Sequence, residues 1–164
     1  MSRVKKNIIL FIMFGCIYIV LEVFMRMFRG EMVGIHGLTY PSFAGWTSIW
    51  MFPIGGSCIF IIGYLNEKKK LPIWSQVILG TLTVFSIEFV TGLFFNVWLG
   101  LHLWDYSTWP LNIMGQITLI YLPVWALLCP LGIWLDDVFR DMLENKTYRI
   151  SILDVYKSLF TGKS

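Results

Sequence analysis

Four apolar stretches constrain this chain more than any other feature. Residues at about 7–28, 45–65, 74–99 and 112–135 each approach or exceed the roughly 20 residues with which a helix crosses a hydrocarbon core of about 30 Å. The composition agrees: 57% of the residues are hydrophobic and 14% charged, against about half and a quarter in an ordinary soluble domain. Such a chain lacks the polar surface to face water, and lipid is its natural solvent. The expected fold is all-α, a polytopic membrane protein of four transmembrane helices. Residues 1–136 form the membrane domain and 137–164 a cytoplasmic interfacial tail. The first apolar run outlasts a signal-peptide core, and no small-x-small cleavage site follows it, so it is expected to remain as a helix.

The basic residues flank these runs and read as topology signals. Arg3, Lys5 and Lys6 precede the first; Lys68, Lys69 and Lys70 separate the second from the third; Arg140, Lys146, Arg149, Lys157 and Lys163 follow the fourth. Only Arg26 and Arg29 fall on the other side, so the positive-inside rule places both termini in the cytoplasm. Trp46, Trp50, Trp98, Trp104 and Trp109 crowd the outer face as an interfacial belt. In the tail, Val138, Phe139, Met142 and Leu143, then Ile152, Leu153, Tyr156, Leu159 and Phe160, recur at helical spacing between charges, which suggests amphipathic cytoplasmic helices. The basic clusters lack interleaved aromatic residues, so nucleic acid is not expected as a partner; the lipid bilayer is.

Two carboxylates stand inside spans, Glu22 and Glu88, where an unpaired charge costs about 2.5 kcal/mol or more. Counting 1.5 Å per residue puts both in the outer half at a shared depth. Arg26 follows Glu22 by one turn, Asn112 and Gln116 open the fourth span, and Asp105 lies in the short loop above. These residues suggest one outward-facing polar cluster, with no cytoplasmic counterpart expected. Pro53 to Gly56, halfway along the second span, and Pro123 and Pro130 in the fourth, suggest either broken helices that lend backbone groups to a site or kinks that let helices pack closely.

His36 and His102 occupy the outer connections in no recognised metal spacing, and no metal or cofactor is expected. Cys16, Cys58 and Cys129 read as small core residues. Neither a phosphate-cradling glycine loop nor a hydrolase triad pattern is present. Leu21-Glu22-Val-Phe24 echoes Ile87-Glu88-Phe-Val90, and Trp46 to Pro53 echoes Trp104 to Pro110, a weak parallel repeat.

Glu88-Phe-Val-Thr-Gly92, Leu103-Trp-Asp-Tyr-Ser107, Asn112-Ile-Met-Gly115-Gln-Ile-Thr118 and Trp125, with Glu22 and Thr47 to Gly55 upstream, resemble the putative ABC-transporter type IV membrane family over roughly residues 10–135. The resemblance implies a permease-like component with an ATPase subunit as partner. It marks Glu22, Glu88, Trp104, Asp105, Tyr106, Asn112 and Gly115 for testing.

Together with Arg26 and Gln116 these define the candidate ligand-binding set: Glu22, Arg26, Glu88, Trp104, Asp105, Tyr106, Asn112 and Gln116. The leading expectation is a pocket for a small solute, ion or lipid headgroup, with Glu88 and Asp105 as acidic contacts and Arg26 as counter-ion. Its rivals are a membrane-embedded enzyme acting on lipid and a structural or regulatory subunit. Four helices enclose little volume, so a homo-oligomer is also considered, with Gly55, Gly56, Gly92 and Gly115 as close-contact residues.

Overall fold

The computed structural model describes residues 1–28, 44–69, 71–147 and 151–161. Arg29, His36, Arg149 and Lys163 lie outside the described residues. Within them, the chain forms α1 (Arg3–Phe28), α2 (Met51–Lys69), α3 (Ile73–Gly92), α4 (Leu122–Leu143) and α5 (Ile152–Thr161). A π-helical turn, Leu93–Trp98, prolongs α3. Two short antiparallel strands, β1 (Asn112–Ile113) and β2 (Ile117–Thr118), precede a 3-10 turn, Leu119–Tyr121, that leads into α4. The protein is therefore mostly helical.

Among the described residues, three helices are long and apolar enough to cross a membrane: Arg3–Phe28, Ile73–Trp98 and Leu119–Leu143. The expected second span differs. Residues 45–48 are not helical, and α2 begins at Met51. Its last turn then reaches Asn66, Glu67 and Lys68, so the apolar part, Met51 to Leu65, extends only about 22 Å. It nevertheless packs inside the bundle. A Cβ on Gly55 would stand 1.8 Å from Cγ of Tyr18, and one on Gly56 would stand 3.2 Å from Cα of Gly15. Close contact of α1 with α2 therefore requires small residues, as in other helix pairs held by dispersion rather than by exclusion of water.

The proline expectation is also corrected. Because α2 starts at Met51, Pro53 sits in its first turn, where a missing N–H breaks no helical hydrogen bond. Pro123 is placed likewise in α4, and α4 runs on through Pro130. No backbone of a broken helix is exposed at Pro53 to Gly56. Gly55, Gly56, Gly92 and Gly115 all meet the chain's own residues.

Asn112 and Gln116 do not open a helix. Asn112 Nδ2 donates to the carbonyls of Trp109 (2.8 Å) and Ser107 (3.2 Å), and its Oδ1 accepts from the Gly115 amide at 3.0 Å. These bonds satisfy a tight hairpin in which Leu111 and Met114 adopt φ of 53° and Gly115 70°. Helix starts only once the Thr118 side chain accepts the Ile120 amide.

At the opposite end, α4 continues unbroken past residue 136 to Leu143, so the expected start of a separate tail at 137 falls inside a helix. A second charged cluster lies there, contrary to expectation. Asp136 is 0% exposed; Arg140 Nε donates to its Oδ2 at 2.6 Å, and Nη1 of the same arginine pairs with Glu67 at 3.0 Å. Asn66 donates to Asp137, and Lys6 pairs with Glu144, which holds the beginning of α1 against the end of α4. Lys146 and Lys6 pull the Glu144 carboxyl down to about 2. The tail helix α5 folds back onto the bundle: Leu159 is buried with Ile73, Val77, Cys129 and Ile133, and the Tyr156 hydroxyl donates to the Leu127 carbonyl at 2.7 Å.

Candidate functional site

Arg26, in the last turn of α1, is 3% exposed and organises that end of the bundle. Its Nε donates to Glu22 one turn earlier at 2.8 Å, its Nη2 donates to the Leu103 carbonyl at 2.9 Å, and its guanidinium carbon stands 4.4 Å from the centre of the Trp46 ring. The chain of bonds continues from Leu103. Its amide donates to Asn96 Oδ1 at 2.7 Å, Asn96 Nδ2 donates to Gln116 Oε1 at 3.0 Å, and Gln116 Nε2 donates to the Met114 carbonyl at 2.9 Å. The Trp104 indole donates to the Gln116 carbonyl at 2.9 Å. This network carries α1 through the π-helical turn to the hairpin and supplies the charge that Glu22 needs.

Glu88 stands apart from it. It lies on α3, 8% exposed, on the wall of a cavity of about 110 Å³ shared with Tyr18, Glu22, Trp104, Tyr106, Tyr121 and Trp125. No lysine or arginine among the described residues forms an ion pair with it. The Trp125 indole N–H lies beside the carboxylate but completes no hydrogen bond of ordinary geometry. Below these groups the walls are apolar, formed by Ile59, Ile62, Val84, Leu128 and Leu135. A carboxylate placed so has lost its water without gaining a counter-ion, an arrangement that favours uptake of a cation or proton. Aromatic side chains share the lining with it, a residue type whose negative π-clouds attract cations.

Residues 9–156 match the family model described as Putative ABC-transporter type IV. The chain belongs to this family. The match runs beyond residue 137 into α5, further than the resemblance expected from sequence, and that helix is part of the packed bundle. No solved structure matches the chain.

Of the eight residues singled out from sequence, Glu22, Glu88, Trp104 and Tyr106 line the cavity. Arg26 and Asp105 line a separate recess of about 270 Å³ with Trp46, His102 and Trp109, to which Trp104 and Tyr106 also contribute. Asp105 is exposed and its Oδ1 accepts the Ser107 amide at 2.8 Å. That amide, then the Ser107 hydroxyl, holds its carboxyl below the usual carboxylate range. Asp105 thus closes a turn and does not share the Glu88 cavity. Asn112 and Gln116 hold the hairpin and its dock on α3.

Sequence reasoning missed two contributors and did not single out a third. Asn96, a lone amide in an apolar run and 5% exposed, carries the same signal as Glu88. Tyr18 carries none, because aromatic residues are ordinary in such segments, and Trp125 entered only through the family resemblance. Trp46 and Trp104, which echo each other in sequence, act differently: one lies against a guanidinium, the other donates its N–H to a carbonyl.

Proposed function

We propose that this chain is a four-span membrane protein, with both termini cytoplasmic, whose cavity in the outer half binds a small cation at Glu88. It would serve as the permease-like component of a transporter, working as a homo-oligomer or with a separate ATPase subunit. One observation carries the reading: of the two acids on the cavity, Glu22 is neutralised by Arg26, whereas Glu88 has no such partner among the described residues. Family membership supports a transporter context. The orientation rests on the distribution of lysine and arginine. Lys6 and Glu144 meet at one end of the bundle, in keeping with an even number of crossings.

The site is tested by native mass spectrometry of the gently extracted protein beside Glu88→Gln, which keeps size and hydrogen bonding but removes the charge. The wild type should carry a stoichiometric organic or inorganic cation that the variant lacks. The same bound mass in both, or none in either, would remove the case for a cation site. Orientation has its own check. Cysteines placed at the exposed Ser107 and Ser151, labelled from outside intact cells, should react only at 107; the reverse pattern would invert the topology.

A further inference from the structure

We infer, on the basis of the cation-binding reading of Glu88, that the ligand is a membrane amphiphile: a single-chain lipid with a positively charged amine headgroup, entering sideways between α1 and α4. The cavity is not roofed only by the outer loops. Its wall on α1 is made by Leu21 and Met25, whose side chains are exposed on the surface of the bundle. On α4 the wall continues as Leu128, Leu131 and Leu135. Helix α1 packs chiefly on α2 and touches α4 far less, so a seam separates α1 from α4.

Head and chain are distinguished by what lines each part. Around Glu88 the cavity is lined by a carboxylate together with tyrosine and tryptophan side chains, residue types that recognise alkylated ammonium groups. From Trp125 to Leu135 the α4 wall descends about 15 Å, which equals half the roughly 30 Å hydrocarbon core. A bound chain would therefore lie along the seam inside one leaflet's depth while its ammonium meets Glu88. A water-soluble cation would make no use of that wall. The order, head outward and chain inward, is that of an outer-leaflet lipid in the proposed orientation.

The experiment titrates purified protein in neutral detergent with three probes read by native mass spectrometry: hexadecyltrimethylammonium, tetramethylammonium and hexadecyl phosphate. The long-chain ammonium should bind at least about a hundredfold tighter than tetramethylammonium, since each buried methylene contributes about a factor of four and roughly four of them suffice, and hexadecyl phosphate should not compete. Glu88→Gln should weaken both ammonium probes. Leu128→Trp and, independently, Leu21→Trp, which fill the seam from either side, should weaken only the long-chain one. Equal affinity for the two ammonium probes would overturn the amphiphile while leaving the cation site standing. Failure of both to bind would remove the cation site itself. Binding of hexadecyl phosphate as tightly as the ammonium would reject the charge complementarity, and a dimer whose formation excludes the long-chain probe would assign the seam to a second copy of the chain.

Discussion

Replacing Arg26 by methionine is expected to destabilise the fold by about 3–5 kcal/mol, the range for removing one partner of a buried ion pair. Methionine fills much of the volume, so the loss would come from polar groups rather than from a void. Glu22 would be left charged with only 15% of its side chain exposed, and the Leu103 carbonyl and the Trp46 face would lose their donor and cation. The double variant Glu22→Leu with Arg26→Met should regain most of the first loss but not the second, leaving a deficit of about 1–2 kcal/mol. Arg26→Lys should fall between, because an ammonium cannot span Glu22 and Leu103 as the guanidinium fork does. Denaturation with sodium dodecyl sulfate, followed by circular dichroism, checks the series. A single-variant cost below about 1 kcal/mol would mean that the pair behaves as an exposed one.

At the other end, Arg140→Met should cost a comparable amount, and more than Asp136→Asn. Asp136 is fully buried and depends on Arg140, whereas Arg140 without Asp136 still has Glu67 at 3.0 Å, and Glu67 keeps some access to solvent. The cluster is tightly fitted: a Cβ on Gly63 would stand 2.1 Å from Cγ of Asp136, so Gly63 exists to leave room for the acid. It is also incompletely satisfied, since Asp136 Oδ1 and Arg140 Nη2 are buried without hydrogen-bond partners among the described residues. Removing both charges, as Asp136→Leu with Arg140→Met, should therefore restore much of the stability, as apolar replacement of buried ion pairs can. The same denaturation measurement decides it: equal losses for Arg140→Met and Asp136→Asn would show that Glu67 offers Arg140 no shelter.

Both results bear on how much of this molecule can be read from its residues. Hydrocarbon imposes a length and an apolar content on anything that crosses it, so the membrane class and three of the helices were legible along the chain. Helix rise, which converts residue number into distance, brought Glu22 and Glu88 to a common level, and both line one cavity. The pairing of Glu22 with Arg26 followed from their one-turn spacing. What spacing did not show were the roles of the loop residues. Asp105, Asn112 and Gln116 were grouped with the acids by depth, yet Asp105 and Asn112 bond backbone groups of their own loop, and Gln116 bonds the Met114 carbonyl and the Asn96 side chain.

The cluster at the other end was missed for a different reason: Asp136 and Arg140 sit where an apolar run ends, and nothing local distinguishes a solvated helix terminus from one buried by Glu67 and Gly63 of another helix. The sequence by itself determined the solvent of this protein and its helical class, because those follow from local composition. Only the tertiary structure decided that Glu88 meets the shared cavity without an ion-pair partner among the described residues, because charge compensation in a low-dielectric interior depends on distances between helices that no residue spacing contains.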